Sequence, residues 1–163
     1  MSPSPPSERV NDPLRAHALA AIGHLPRGVF VMTSTFNNKR SGRLVSSVQP
    51  VASDPLLICV ACTKGHAIEP LIRDSQSFAI CLIGASDRLV MRRFAPEFAG
   101  YAGEDPFDAF PFETLVTGAP VLTRSIAAID CRVQRHLDIE ADHELYIGHV
   151  VAGRVYVSSQ ESA

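Results

Sequence analysis

Two segments of the chain carry side chains that suit the binding of a phosphate. A strand-like segment contains the adjacent hydroxyls of Ser46 and Ser47, and a buried strand further along leads into the tetrapeptide Thr63–His66. In that tetrapeptide Lys64 supplies a cation and Gly65 a flexible backbone, and the short helix predicted to follow supplies an N-terminus with unpaired amides. A second interpretation stays open on these residues alone, because a serine-containing edge strand followed by an ordinary turn has the same sequence.

Two cysteines have the spacing of a redox or metal-binding pair, but their surroundings favour the protein core. Cys59 and Cys62 form a CxxC inside the apolar run Leu56–Cys62. A redox CxxC needs its first thiolate at a helix N-terminus, whereas on a strand a spacing of three residues places the two sulfurs on opposite faces. No second CxxC completes a zinc site. We therefore expect ordinary thiols at all four cysteines, as in a reducing compartment.

Histidines and carboxylates cluster in the C-terminal part of the chain. Asp142, His143 and Glu144 are followed by His149, and on a strand the two histidines share a face because they are an even number of residues apart. The rise of a strand spreads these side chains over ~20 Å, and the zinc-protease pattern HExxH is missing. The sequence therefore predicts no metal site, and a polar strand end that faces a cleft is the preferred interpretation.

The charge and motif content exclude several classes of function. The sequence contains no GxGxxG after a strand, no GxxxxGK[ST] and no GxSxG, so it lacks the common nucleotide-binding and hydrolase motifs. A net charge of −2 provides no basic surface for nucleic acid or for an anionic membrane. The apolar runs are too short to cross a bilayer, and no signal peptide opens the chain. We expect a cytoplasmic protein with no nucleic-acid and no membrane partner.

Length and composition are typical of one globular domain with a short tail in front. The chain has 163 residues, of which 46% are hydrophobic and 20% are charged. Residues 1–12 (MSPSPPSERVND) are rich in proline and serine and offer little to bury, which predicts a disordered tail. A single domain is predicted over residues 13–163.

The hydrophobic pattern predicts one N-terminal helix and then mostly strands. Asp12 is the expected N-cap of the helix, which Gly23 ends. Strands are predicted at Gly28–Thr35, Leu44–Val51, Leu56–Cys62, Ser77–Ile83, Ala127–Val133, His143–Val151 and Arg154–Val157. A turn region is predicted at Phe36-Asn37-Asn38 plus Ser41-Gly42, a tight hairpin turn at Ala152-Gly153, and short helices at Ile68–Asp74 and Arg88–Phe94. Because most strands follow each other without a crossover helix, the predicted fold class is mainly β with short helices, a small antiparallel barrel.

The order of these segments resembles the flavin reductase-like family. The resemblance runs from about Arg27 to Val155 and rests on four segments: GVFVMTST, GRLVSSVQPVASDPLLICVACTKGHAIEPLI, GAPVL with the strand that contains Cys131, and ADHELYIGHV. Each motif is weak by itself, and the four in this order are typical of the family but of no particular substrate. The resemblance implies a split antiparallel β-barrel of the FMN-binding type.

The same resemblance implies a function, a cofactor and partners. It implies an NAD(P)H-dependent flavin reductase that binds FMN, or FAD, and takes its electrons from NADH or NADPH. It implies a homodimer with the flavin at or near the subunit interface. Reduced flavin would leave or pass electrons to a flavin-dependent oxygenase partner, as the reductase component of a two-component monooxygenase does.

The resemblance also implies roles for individual residues. It places Val45, Ser46, Ser47, Val48 and Gln49 along the isoalloxazine ring and ribityl chain, Lys64, Gly65 and His66 at the phosphate, Phe94 over one edge of the flavin, and His143, the expected catalytic residue, beside the nicotinamide. Arg43 and Leu44 fall in the same site where the family has a small apolar residue and a threonine. Whether these two side chains alter or abolish flavin binding stays open at the level of the sequence.

Two further functions remain as alternatives. The departures at Arg43, Leu44, Ala52 and Ala141 leave open a flavin-binding electron carrier or sensor without NAD(P)H activity of its own. The pyridoxamine-phosphate oxidase type of split barrel is a weaker alternative, because few basic residues are available for a second phosphate. A barrel that has lost its flavin is also compatible with the sequence.

Overall fold

The computed structural model describes residues 12–95 and 105–156 of the chain. In chain order these form α1 (Pro13–Ile22), β1 (Phe30–Phe36), β2 (Lys39–Val45), β3 (Ser47–Ser53), β4 (Leu56–Thr63), α2 (Ile68–Ser75), β5 (Ser77–Leu82), α3 (Arg88–Arg93), a 3-10 turn (Pro106–Ala109), β6 (Phe112–Thr114), β7 (Pro120–Leu122), β8 (Ala127–Asp138) and β9 (His143–Val155). Seven strands make one antiparallel sheet in the order β2-β1-β5-β8-β9-β4-β3, and β6 pairs with β7 in a separate ribbon. The mainly β, antiparallel fold class is confirmed.

Local sequence explains where several of these elements begin and end. The Asp12 carboxylate accepts a hydrogen bond from the Leu14 amide at 2.9 Å and so caps α1. Gln76 adopts a left-handed φ of 55° and ends α2. Asn37 and Asn38, with φ of 49° and 63°, form the two-residue turn between β1 and β2, a conformation that asparagine tolerates well.

The sheet buries side chains on both of its faces. Along β1, Val31 packs into one hydrophobic cluster together with Phe94 and Phe107, whereas the next residue, Met32, packs into a second cluster that includes Ile72 of α2. This alternation follows the two-residue period of a strand. The second cluster lies beneath α2, and the loop that precedes α2 is consequently held over the core.

The predicted turn at Ser41-Gly42 is wrong, and the predicted strand Leu44–Val51 is divided between the end of β2 and the first part of β3. Gly42 lies inside β2 and pairs with Thr33 of β1, and the extended segment is interrupted at Ser46, between β2 and β3. Gly42 serves a packing purpose, since a Cβ there would lie 2.7 Å from the ring of Phe94. A glycine that accommodates an aromatic ring has the same local signature as a glycine in a turn.

The predicted hairpin turn at Ala152-Gly153 is also wrong. Strand β9 runs without a break and pairs with β8 along its length, and the register shifts between Asp130 and Cys131 where they face Ala152 and Val150. This irregularity is a β-bulge, which keeps the strand in the sheet while adding one residue.

Strand β8 extends to Asp138, beyond its predicted end. Val157 and residues 1–11 of the predicted tail lie outside the described residues. None of the described helices is long and apolar enough to cross a bilayer.

Candidate functional site

The loop after β4 is fixed by backbone hydrogen bonds on both sides. Gly65 has a φ of +91°, a conformation that favours glycine, and its amide donates to the Glu69 carboxylate of α2 at 2.5 Å. The Lys64 amide donates to the Asp142 carbonyl, just before β9, at 3.0 Å. The loop at Thr63–His66 is therefore held between α2 and the start of β9. Glu69 is a site residue that the sequence analysis missed, although its position four residues after Gly65 could have pointed to it.

Arg43 places a guanidinium against this loop. From β2 it donates to Thr63 of β4 twice, from Nη1 to the carbonyl oxygen at 2.8 Å and from Nη2 to Oγ1 at 2.6 Å. Its Nε is buried and has no hydrogen-bond partner among the described residues. The loop is thus flanked by a permanent positive charge with one unsatisfied donor.

His66 presents a neutral ring in the same region. Its Nδ1 accepts a hydrogen bond from the Ile68 amide at 3.0 Å, so the proton of the neutral ring is on Nε2. Burial, assisted by the charge of Arg43, lowers the pKa of His66 to about 4. At neutral pH the residue is consequently an uncharged donor.

Lys64 is engaged in an ion pair. Its Nζ lies 2.6 Å from Oδ1 of Asp138 at the end of β8. The hydrogen bond between them raises the pKa of Lys64 and lowers the pKa of Asp138. A phosphate that binds Lys64 must therefore compete with Asp138, a residue beyond the predicted end of its strand.

His143 lies next to the loop from the neighbouring strand. It is opposite Thr63 in the register of β4 and β9, and its Nδ1 lies 2.9 Å from Oδ1 of Asp142. That hydrogen bond lowers the pKa of the Asp142 carboxyl. The carboxylate orients an imidazole that is otherwise accessible at the surface.

A buried carboxylate supports the start of β9 from inside the sheet. Glu144 is buried and accepts hydrogen bonds from the Tyr146 hydroxyl at 2.9 Å and from His136 Nε2 at 2.9 Å. The rings of His136 and Tyr146 stack with their centroids 4.5 Å apart. Burial opposes ionisation of Glu144, but the bonds from His136 and Tyr146 outweigh it and lower the pKa of Glu144. This network holds Glu144 in place and with it the backbone next to His143.

The predicted residues Ser46, Ser47, Val48 and Gln49 line a groove of about 700 Å³. Ser47 and Gln49 pair with Ala61 and Cys59 of β4. Ser46 and Ser47 are exposed, and Ile22, Leu25 and Phe30 also line the groove. A groove with both polar and apolar lining suits a ring system with polar edges.

Three of the predicted residues have their side chains in the core. Val45 is buried in the cluster beneath α2, and Leu44 packs against the cluster on the other face of the sheet. Phe94 is only 4% exposed and packs against Phe107, with ring centroids 5.3 Å apart. Leu44 and Val45 can meet a ligand chiefly through their backbone, and Phe94 lies at the wall of a second cleft of about 940 Å³ that also includes Gly42 and His66.

The four cysteines are free thiols in different environments. Cys62 is buried and Cys59 is half-buried at the groove, as expected for sulfurs on opposite faces of a strand. Burial raises the pKa of Cys62 and of Cys81 to about 11 and that of Cys131 to about 12. It raises the pKa of Cys59 as well. Within residues 12–95 and 105–156, no three His, Cys, Asp or Glu side chains are grouped to hold a metal ion.

Sequence comparison relates this chain to flavin proteins. A sequence model of the flavin reductase like domain matches residues 22–162. The chain is 27% identical over 136 residues to diflavin flavoprotein A 1 of Synechocystis sp., covering 83% of this chain and 23% of that protein. It is 25% identical over 130 residues to a ferric-chelate reductase (NAD(P)H) of Archaeoglobus fulgidus, covering 78% of this chain and 75% of the relative. The chain spans no more than a quarter of the length of the diflavin flavoproteins it matches.

Solved structures share the fold. An NADH:FAD oxidoreductase from Streptomyces globisporus superposes with a TM-score of 0.76 at 22% identity, over 95% of this chain and 87% of that one. The nitrilotriacetate monooxygenase component B homologue from Mycobacterium thermoresistibile gives a TM-score of 0.74 at 23% identity, over 87% of this chain and 76% of that one. At these identities the likeness establishes a common fold.

Proposed function

The chain belongs to the flavin reductase like domain family, and on that premise we propose that it binds FMN and reduces it with NADH or NADPH. The observation that carries the proposal is the convergence of Arg43, His66 and His143 on one loop, at the end of β4. The groove at Ser46–Gln49 begins three residues beyond Arg43 along the chain. A cationic loop next to a groove suits a ligand that has a phosphate at one end and a ring system at the other.

The residues present fit the phosphate of a flavin. The buried Nε of Arg43 is a donor without a partner among the described residues, and such a group gains from an oxyanion. The neutral Nε2–H of His66 adds a second donor that needs no counter-ion. Lys64 contributes once it leaves Asp138. We therefore propose Arg43 as the main cation at the phosphate, with Lys64 as the secondary one.

The remaining flavin contacts are proposed for the groove. The hydroxyls of Ser46 and Ser47 and the amide of Gln49 provide donors and acceptors along one edge of the ring system. The apolar side chains of the lining, among them Ile22, Leu25 and Phe30, would exclude water from the ring. The backbone of Leu44 and Val45 continues the same edge, and Phe94 supports it from the core.

His143 is proposed to orient the nicotinamide. The Asp142 carboxylate accepts from Nδ1–H, which leaves Nε2 of the neutral ring as an acceptor for the carboxamide of the nucleotide. When bound, the flavin supplies the acceptor for a hydride, and overall NAD(P)H, a proton and oxidised flavin give NAD(P)⁺ and reduced flavin. The protein contributes chiefly by holding the two rings at reacting distance.

A homodimer is proposed from the exposed N-terminal helix. No residue of α1 is buried; Leu14 in the helix is 76% exposed, and Leu25, three residues after its end, is 62% exposed. A ten-residue helix is marginal in water without a packing partner, and Ile22 and Leu25 border the groove. We propose that a second copy covers α1 beside the groove, and light scattering after gel filtration should give the mass of a dimer.

An oxygenase is the proposed recipient of the reduced flavin. The structural neighbours include a homologue of nitrilotriacetate monooxygenase component B, a protein named as a component of a monooxygenase. The exposed side of the groove would let a reduced flavin leave after turnover. Transfer is tested by supplying the protein, NADH and FMN to a flavin-dependent monooxygenase and measuring hydroxylated product.

Flavin-dependent oxidation of NAD(P)H tests the proposed activity directly. Purified protein is mixed with FMN and NADH, or NADPH, in air, and the absorbance of the reduced nicotinamide is followed against a mixture without FMN. Oxidation that requires both flavin and protein supports the reductase.

The second candidate is a flavin-binding electron carrier, favoured by the ion pair that occupies Lys64. Protein that stays yellow through gel filtration yet consumes neither nucleotide would replace the reductase with that carrier.

A further inference from the structure

The Gly65 amide is occupied by a carboxylate of the same chain. Glu69, in the first turn of α2, accepts a hydrogen bond from this amide at 2.5 Å. Gly65 itself is exposed, and no described atom beyond its two chain neighbours lies within 4 Å of the place where a Cβ would be. The loop therefore has open space at Gly65 but an amide that already has an acceptor.

The lysine of the same loop is occupied in the same way. Nζ of Lys64 lies 2.6 Å from Oδ1 of Asp138 on β8, whereas Glu69 reaches the loop from α2. Carboxylate and phosphate oxygens accept hydrogen bonds from the same donors. Two carboxylates on different elements thus take an ammonium and a backbone amide that an anionic ligand of the loop would use.

The charges at the loop balance one another before any ligand arrives. Arg43 and Lys64 bring two positive charges. Glu69 and Asp138 bring two negative charges. A phosphate monoester adds a charge of about −1.5 to −2 at neutral pH. It consequently gains most from the loop when one of the two carboxylates gives up its donor.

Glu69 also has the position of a helix-capping residue. Helix α2 begins at Ile68, and its N-cap Ala67 provides no side-chain hydrogen bond. An acidic residue in the first turn stabilises a helix through its dipole and can accept from an amide that precedes the helix. A cap and a competitor make the same contact but have opposite effects on a ligand, because a cap holds the loop ready for the phosphate and a competitor opposes the phosphate.

We propose that Glu69 is a specificity-determining residue of the loop, whose carboxylate competes with a ligand phosphate for the Gly65 amide and lowers the preference of the protein for FMN over riboflavin. The inference rests on the proposed function, because the phosphate in question is that of a flavin in the neighbouring groove. It deepens that function by giving the loop two opposing residues. Arg43 attracts the phosphate, and Glu69 limits how much affinity the phosphate adds.

Flavin binding to a neutral variant tests the proposal. Glu69→Gln keeps the length of the side chain and an acceptor for the Gly65 amide, but it removes the negative charge. It should strengthen FMN binding roughly three- to tenfold and change riboflavin binding by less than about twofold, as measured by quenching of flavin fluorescence. Asp74→Asn makes the same change of charge at the other end of α2 and is the matched control, which should leave both affinities as they are. An FMN affinity that is unchanged or weaker in Glu69→Gln, or an equal change for both flavins, would overturn the proposal and leave Glu69 as a helix cap.

Inorganic phosphate separates this inference from the proposed function. The melting temperature in phosphate and in chloride at equal ionic strength reports phosphate binding without any flavin. Phosphate should raise the melting temperature of Glu69→Gln more than that of the wild type. This effect in a protein that binds neither flavin would refute the reductase and retain the role of Glu69. Flavin binding by the wild type, with no gain of FMN preference in Glu69→Gln, would refute the role of Glu69 alone.

Discussion

Arg43 of β2 and Thr63 at the end of β4 are joined by two hydrogen bonds of 2.8 and 2.6 Å. The two strands are not neighbours in the sheet, so this contact crosses between strands that are separate in the hydrogen-bonded order. An arginine keeps its charge at every accessible pH. The contact therefore fixes a permanent cation at the loop before any ligand arrives.

Arg43→Gln should weaken FMN binding by at least tenfold and riboflavin binding much less. The substitution removes a charge-assisted bond to the phosphate, worth about 1.5–3 kcal/mol, and riboflavin has no phosphate. Quenching of flavin fluorescence measures both affinities. Thr63→Val is the matched control, since it removes one neutral acceptor and keeps the cation, and it should change FMN affinity by about threefold or less. Equal losses of affinity for FMN and riboflavin would show that Arg43 acts on the ring system or on the fold and not on the phosphate.

Asp138→Asn should strengthen FMN binding by several-fold. The substitution removes the charge that holds Lys64 Nζ at 2.6 Å and so makes the ammonium available to the phosphate. Lys64→Ala alone should weaken FMN binding less than Arg43→Gln does. The double variant with Lys64→Ala and Asp138→Asn should lose the gain, and a gain that persists there would show that Lys64 is not its source.

The stability of the protein should fall in mild acid in a way that depends on His66. The folded pKa of His66 is about 4, below its ordinary value of 6.5, so from about pH 6.5 down to about 4 the unfolded chain binds a proton that the folded chain does not. Its contribution is fully present above pH 6.5 and is lost as the pH falls through this window. Urea unfolding of wild type and His66→Gln across the window measures the difference. Parallel pH profiles for the two proteins would contradict the neutral, half-buried histidine.

Bound FMN should protect Cys59 from alkylation. Cys59 is half-buried and borders the groove proposed for the ring, whereas Cys62, Cys81 and Cys131 are buried. In the absence of flavin, iodoacetamide should modify Cys59 first, and slowly, because burial raises the pKa of its thiol. Peptide mass spectrometry with and without FMN measures the protection. Labelling of Cys59 at the same rate in saturating FMN would place the ring elsewhere.

Gly148→Ala should destabilise the protein far more than Gly153→Ala, although both residues lie in β9. A Cβ at Gly148 would lie 2.6 Å from the Phe78 ring and 2.8 Å from Cβ of Cys131, whereas at Gly153 its nearest neighbour is the Ala128 carbonyl oxygen at 3.4 Å. Overpacking of this kind costs about 1–3 kcal/mol. Thermal unfolding of the two variants measures the difference, and equal melting temperatures would contradict the packing described around Phe78.

Elements whose signal is local could be predicted from the sequence. Strand β4, helix α2, strand β5 and helix α3 each end within one residue of the predicted boundary. Their hydrophobic periodicity lies within the segments, and the residues that end them lie directly beside them. The same local patterns were misleading at Gly42 and Gly153. Gly42 makes room for the ring of Phe94, and Gly153 lies inside a continuous strand paired with Ile129 of β8; both partners are remote in the sequence.

The sequence predicted which residues form the candidate site better than it predicted the contacts between them. The sequence located Arg43, Lys64, His66 and His143, and the structure brings these four to the same loop. It had no signal for the pairing of Lys64 with Asp138, because the two residues are 74 positions apart. Residue spacing reveals partners on one helix or strand, while partners on different strands depend on the topology of the sheet.

The burial of three cysteines would limit the damage that the proposed flavin chemistry could do to this protein. Reduced flavin that meets oxygen releases hydrogen peroxide, and peroxide attacks the thiolate form of cysteine. With thiol pKa values of about 11 to 12, Cys62, Cys81 and Cys131 carry almost no thiolate at neutral pH. Oxidative damage to sulfur should then begin at Cys59, the residue that the cofactor itself would shield while it is bound.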